Sequence, residues 1–406
     1  MAADILEVLL AGRPIGALTA LNGDRSIFSF NDAYAEDEAR PTLSLSFKDA
    51  HGRLIRDFNH QQTRLLPFFS NLLPEGPLRD YLAKRANVKI IREYPLLEVL
   101  GLDLPGAVTV RSAGEGAIDD GAPPEAVQAK PGKGPLRFSL AGVQLKFSAV
   151  EKAHGGLTIP ASGAGGDWIV KLPSTRFAGV SENEFSMMKL ADAMGMDVPE
   201  VRLMPLDEIE GLPEGIGRIE EGAFAIRRFD RTEDGGLVHI EDFAQVFGVY
   251  PEDKYGKGAY RSIARVLWIE TGEAGVREFI ARLVFNTLIG NADMHLKNWS
   301  LIYPDGRAPQ IAPAYDFLST TVYIPDDSMA LRFGRSRLMT DLSIDEMTYM
   351  AAKAGLPETL VRRAALGAVE RFRDVWPRER PNLPVSKDVA AEIERLLAAV
   401  PIANGR

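Results

Sequence analysis

Asp293 and Asn298 are separated by four residues in Asn291-Ala-Asp-Met-His-Leu-Lys-Asn298, and a second carboxylate, Asp316, follows in Tyr315-Asp316-Phe317. That spacing suits phosphoryl transfer. One carboxylate takes the proton of an attacking hydroxyl, while an amide oxygen and a second carboxylate hold magnesium against nucleotide phosphates. Between them, Trp299–Tyr303 and Gln310–Ala314 read as a strand hairpin turned at Pro304-Asp-Gly306. The chain thus leaves the loop and returns beside it, so the three side chains can converge. A lone Asp between a helix and a strand is usually a turn residue. In this setting Asp293 is the candidate base, and Asn298 and Asp316 are candidate metal ligands, because Mg2+ takes hard oxygens and completes its octahedron with phosphate and water.

A cation is also needed on the nucleotide. Lys171 stands in the apolar run Asp167-Trp-Ile-Val-Lys-Leu172, upstream of a helix carrying Glu184. Taken alone it reads as a strand lysine reaching solvent. With a helix glutamate to orient it, it becomes a candidate for neutralising the α- and β-phosphates. Glu184 has its own bland reading, since Ser181-Glu-Asn-Glu184 is a capping-box pattern. Ala141-Gly-Val-Gln-Leu-Lys146, between two apolar runs, reads as a turn whose amides could cover phosphates, though with one glycine it is neither a Walker A loop nor an ordinary glycine-rich loop. Arg227-Arg-Phe229 follows a strand, where a lobe connection would offer its backbone to adenine.

The elements that must position these groups read as follows. Leu6–Leu10, Arg25–Phe30 and Leu43–Phe47 are short strands, and 62–87 is helical. Residues 113–135, rich in Gly, Ala and Pro, are a linker or mobile loop. Past it come Arg137–Leu140, Leu145–Val150, Asp167–Leu172 and Ala223–Arg227 as strands. Val276–Ile289 is apolar nearly all round, a buried helix ending at Gly290. Ser343-Ile-Asp-Glu346 is a second capping box, and Val389, Ile393, Leu396, Leu397 and Val400 stripe a last helix. The fold class is α+β: a bilobal, protein-kinase-like plan with a β-rich N-terminal module (1–112), a linker (113–135), a mixed N-lobe (136–238) and an all-helical C-lobe (239–406).

Composition supports this without deciding it. A chain of 406 residues, 46% hydrophobic and 25% charged, is ordinary for a multi-lobed globular protein. It has no cysteine, hence no disulfide or thiolate metal site. Neither a membrane span nor a signal peptide is visible, and a cytoplasmic protein is expected. The net charge of −9 argues against a stand-alone nucleic-acid binder. Arg332, Arg335 and Arg337, and Arg362, Arg363, Arg371, Arg373, Arg378 and Arg380, read as solvated faces, with a DNA-facing patch inside a partner complex as the alternative.

Taken together, Phe68–Gly76, Ser139–Lys146, Ile226–Arg231, Asn291–Asn298 and Tyr315-Asp316 resemble the ordered blocks of the HipA family, bacterial serine/threonine kinases that act as toxins of toxin–antitoxin pairs. The resemblance covers essentially the whole chain. It implies ATP and Mg2+ as cofactors and Asp293 as catalytic base. It implies Asn298 and Asp316 as metal ligands and Lys171 on the phosphates. Residues 141–146 (Ala141, Gly142, Val143, Gln144, Leu145, Lys146) would be the nucleotide loop, Arg227, Arg228 and Phe229 the adenine connection, and His295 a neighbour of the ribose. Lys297 and Tyr315 fall in the same blocks and are grouped with the nucleotide site. Ser139 matches a serine the family autophosphorylates, which expels the nucleotide loop. It also implies a helix-turn-helix antitoxin, contact with DNA only through it, a translation component such as an aminoacyl-tRNA synthetase as substrate, and dormancy as the outcome. Arg227 departs from a glutamate that can occur there. A small-molecule kinase of the aminoglycoside or choline type, and a non-catalytic co-repressor, are the alternative functions.

Overall fold

A computed structural model describes residues 4–85, 87–113, 146–152, 156–159, 165–212 and 222–405. Ser139 and Ala141–Leu145 lie outside these residues, as do the expected strand 137–140 and almost all of the expected linker.

The first part is an antiparallel sheet of β1 (Ile5–Leu10), β2 (Arg13–Leu21), β3 (Arg25–Phe30), β4 (Gln61–Gln62) and β5 (Val108–Ser112), in the order β4-β3-β2-β1-β5. Alternate residues such as Leu6, Val8 and Leu10 point into a core that also takes Phe28, Phe47, Phe68 and Phe69. Leu43–Phe47 is not a strand. Its serine–apolar alternation mimics one, but Ser44 caps the amide of Ser46 and a 3-10 turn forms over Leu45–Phe47. Nor is 62–87 one helix. Pro67–Ser70 and Gly76–Arg85 are separate helices, broken at Leu72-Leu-Pro-Glu75; a proline inside a helix would cost it a hydrogen bond and a clash.

The second sheet holds β6 (Lys146–Glu151), β7 (Leu157–Thr158), β8 (Trp168–Lys171), β9 (Val201–Met204), β10 (Ile209–Glu210) and β11 (Ala223–Arg227), ordered β10-β7-β6-β8-β11-β9. The helix Val180–Ala193 packs on it and carries Met187, Met188 and Leu190 into the large core of the C-terminal part. Here the capping-box expectation fails. The helix starts at Val180 behind Gly179, whose left-handed φ of 71° makes the turn, so Ser181 lies inside the helix and caps nothing. Glu184 is thereby free for another partner.

The C-terminal part is helical around Tyr260–Leu288, which breaks at Gly272 (φ 67°), with Ile344–Ala354, Glu358–Glu379 and Lys387–Ala399 packed about it. It also contains a small sheet, β12 (His239–Asp242), β13 (Ser300–Tyr303) and β14 (Gln310–Ile311). The hairpin β13–β14 is the one expected between Asn298 and Asp316. Ser343 does cap its helix, but Glu346 does not reach back to complete the box. Its carboxylate takes the amides of Gly334, Arg335 and Ser336 instead. Among the arginines singled out, Arg335 pairs with Asp345 and Glu346, Arg378 with Asp374 and Glu379, and Arg380 with Glu394, which fits solvated faces. No helix among the described residues is long and apolar enough to cross a membrane.

Candidate active site

β8 ends at Lys171, directly opposite Lys146 of β6, so both side chains leave the same face of the sheet. Lys171 Nζ donates to Glu184 Oε1 at 2.6 Å and also to Asp316 Oδ1. Glu184 is 2% exposed. An ion triad therefore joins a sheet lysine, a helix glutamate and the aspartate that follows the hairpin. Against the desolvation that burial imposes, the Lys171 and Lys146 ammonium groups hold Asp316 below the usual carboxylate range. Burial pushes Glu184 up to about 7, resisted by Lys171. Asp316 has a left-handed backbone, φ 57°. Such a conformation is uncommon outside glycine and typically costs ~1–3 kcal/mol; here it turns the carboxylate toward Lys171.

The loop after the long helix is tied to the same point. Gly290 turns the chain at φ 72°, and its carbonyl accepts from the amides of Thr320 and Thr321 at 2.9 and 3.1 Å. Buried Asn291 donates to Asn286 Oδ1 at 2.8 Å and to Asp316 O at 3.0 Å, and accepts from the Asp293 amide at 3.2 Å. Asn183, on the Glu184 helix, exchanges two hydrogen bonds with the backbone of Ser319. The two carboxylate-bearing segments and the helix thus share one rigid frame.

Asp293 Oδ1 accepts from the Tyr255 phenol at 2.8 Å. Burial raises the Asp293 carboxyl above the ordinary range, against the Tyr255 hydrogen bond and the Lys254 charge. Asn298 gives its amide hydrogen to Asp293 O at 2.9 Å, which leaves Oδ1 for a cation. The described residues contain no cluster of three His, Cys, Asp or Glu fit for a metal. A cation here would have one carboxylate and one amide from the protein and draw its other ligands from phosphate and water, which suits magnesium. The residues fit the group.

His295 is buried, its ring edge-on to Tyr255 with centroids 5.0 Å apart, and burial together with Lys254 pushes its pKa down to about 3. It acts as a neutral ring. Tyr315 shares a 2.6 Å hydrogen bond with Ser300 Oγ, donates to Lys297 O at 2.8 Å, and lies 5.8 Å from the Phe229 ring. Arg227 and Arg228 give their amides to Glu200 O and Asp167 O. The Arg228 guanidinium belongs to a module interface: it pairs with Asp230 and with Asp103 of the first part at 2.9 Å each, while Asp230 accepts from the Gly106 amide at 2.7 Å. Lys297 points to the N-terminal module, onto Asn71 O at 2.9 Å and Glu75 at 3.0 Å. Tyr255, Lys254, Glu75 and Asn291 were not assigned roles from the sequence. The first three meet the loop only through the fold, whereas Asn291 sits inside the motif and its polarity at a helix end was a usable signal.

Comparisons with known proteins identify the family and the fold. The HipA N-terminal domain pattern matches residues 6–111, and the HipA-like C-terminal domain pattern matches residues 138–376. The chain belongs to the HipA family. It is 59% identical over 397 residues to Y4dM of Sinorhizobium fredii, whose name carries a provisional kinase designation; the match covers 96% of this chain and 95% of that one. It is 28% identical over 356 residues to the serine/threonine-protein kinase toxin HipA of Shewanella oneidensis, covering 78% of this chain and 76% of the other. The Shewanella oneidensis HipA structure, solved with HipB and operator DNA, superposes with a TM-score of 0.73 at 22% identity over 97% of this chain and 95% of that one, a likeness of fold. The α+β kinase-like architecture is therefore that of the HipA fold.

Proposed function

We propose that this HipA-family protein transfers the γ-phosphoryl group of ATP to a serine or threonine hydroxyl of a protein, in the cytoplasm, as the toxin of a toxin–antitoxin pair. The observation that carries the reading is Lys171, held between Glu184 and Asp316 beside Lys146 and on the same frame as Asp293. Lys171 and Lys146 face the phosphates, and the segment at Arg227–Phe229, with Tyr315 behind it, meets the adenine ring. Mg2+ held by Asn298 and Asp316 would neutralise phosphate charge. Asp293 accepts the proton of the acceptor hydroxyl as its oxygen bonds to the γ-phosphorus and the bond to ADP breaks. The Shewanella oneidensis complex supports a helix-turn-helix antitoxin as partner, with DNA reached through it. A translation component such as an aminoacyl-tRNA synthetase is the proposed acceptor.

The test is labelling with γ-labelled ATP and Mg2+ against a panel of synthetases and an amino sugar. Transfer to protein supports the reading; transfer to the sugar alone overturns it. Lys171→Met is expected to weaken ATP binding at least about tenfold by calorimetry, the equivalent of ~1.4 kcal/mol of phosphate contact. Intact mass after incubation with ATP is expected to show one added phosphoryl group, absent in Ser139→Ala.

Activity should follow the titration of Asp293. A base works deprotonated, so rate is present above its pKa and lost as pH falls through it; burial places that limb above the ordinary aspartate range. Tyr255→Phe removes a donor that favours the carboxylate, so the acidic limb of kcat/KM is expected to move to higher pH. A pH–rate profile checks this, and a limb moving down would contradict the assignment of Asp293 as base.

A further inference from the structure

Phe68–Gly76 is marked in the sequence, yet nothing in the reaction above uses it. Two of its polar residues, Asn71 and Glu75, reach the catalytic loop from the N-terminal module. Glu75 accepts from Lys254 at 2.8 Å and from Lys297 at 3.0 Å. The carbonyl of Asn71 takes a second proton of Lys297 at 2.9 Å, and the Asn71 side chain donates to Val249 O at 2.7 Å. These groups are half-shielded rather than loose on the surface: the Lys297 and Lys254 side chains are 15% and 18% exposed. The segment is seated firmly, since Gln245 donates to Phe68 O and Tyr250 to Leu65 O.

What Glu75 grips matters more than the ion pairs themselves. Lys254 precedes Tyr255, whose phenol sits on Asp293, and the Lys254 carbonyl accepts from the Leu296 amide. Lys297 precedes Asn298, which holds the Asp293 carbonyl. One carboxylate therefore ties down the chain on both sides of the base. On the opposite side, Lys171, Glu184 and Asp316 form a separate ion set that Glu75 does not touch.

We propose that Glu75, supplied by the N-terminal module, is a positioning residue of the phosphoryl-transfer site that clamps Lys254 and Lys297 and so fixes the segments flanking Asp293. It rests on the kinase reading above. Misplacing a reacting group by ~1 Å can cost about a hundredfold in rate. A lost clamp, with the frame around Asn291 intact, is expected to cost about tenfold in kcat.

The experiment compares wild type, Glu75→Gln, Lys297→Met and the double variant, by steady-state kinetics and by hydrogen exchange. Glu75→Gln is expected to lower kcat about tenfold with KM for ATP within about twofold, because the Lys171 side is untouched. The double variant is expected to lose clearly less than the sum of the two single losses, since both changes break the Glu75–Lys297 pair. Exchange at Leu296–Asn298 is expected to quicken in Glu75→Gln while the helix Tyr260–Leu288 stays protected; quickening throughout the chain would mean general loosening and overturn the proposal. So would an unchanged kcat in Glu75→Gln, or losses that simply add in the double variant. A wild-type chain that transfers no phosphate defeats the kinase reading separately; the clamp is then judged by exchange alone, and unaltered exchange at Leu296–Asn298 defeats it.

Discussion

Asp293→Asn is expected to lower the rate of phosphoryl transfer by about 10²–10⁴, the usual contribution of a placed general base. The change is nearly isosteric, so the frame should persist: Asn291 still binds Asp316 O, Asn298 still has the residue-293 carbonyl, and Lys171 keeps both carboxylates. ATP affinity should accordingly stay within about twofold, because Lys171 and Lys146, which we propose face the phosphates, make no contact with Asp293. Single-turnover kinetics with saturating ATP, paired with equilibrium binding, measures the two quantities separately. A fall in affinity equal to the fall in rate would mean that Asp293 organises the nucleotide instead of the acceptor. No fall in rate would remove it as base.

Arg228→Ala is expected to destabilise the protein by about 3–5 kcal/mol, the cost of breaking a buried ion pair from one side. Arg228 is 8% exposed and Asp230 is 5% exposed, and the guanidinium bridges Asp230 and Asp103 across the module boundary. Against burial, Arg228 holds Asp230 below its ordinary value of 3.8. A depressed carboxylate contributes stability above its unfolded pKa and loses it as pH falls through the folded one. The variant should therefore lose most at neutral pH and converge with wild type in strong acid. Arg228→Lys is expected to recover only part, since an ammonium lacks the planar fork that meets Asp230 with two nitrogens. Urea unfolding at several pH values reads all of this; a loss under ~1 kcal/mol would mean water takes over the abandoned carboxylates.

Those features that chemistry constrains by local spacing were readable from the residues alone. The hairpin between Asn298 and Asp316 forms where its turn residues stand, and the lysine ending a strand before a glutamate-bearing helix does pair with that glutamate. Elements whose outcome turns on distant partners were not readable. Leu43–Phe47 has a strand-like alternation, but the Leu45 amide goes to Glu241, 196 residues away, and a 3-10 turn forms. Ser181 sits in a capping pattern, yet the cap falls two residues earlier, at Gly179, and leaves Glu184 to Lys171. Tyr255 meets Asp293 across 38 residues, and Glu75 meets Lys254 across 179. No periodicity or motif encodes such pairings; only packing produces them.

Glu241 carries one more lesson. It is fully buried on β12, and its carboxylate takes the Leu45 amide at 3.0 Å along with the hydroxyls of Ser44 and Tyr303. Two of its three donors come from the opening hundred residues. Expressed by itself, the later portion would lose two of this acid's three donors and open to water the face that Ser44 and Leu45 cover. The later portion is thus built to be covered by the first: a gene truncated at the front is expected to give a less stable product, which comparing its soluble yield with that of the full chain would check.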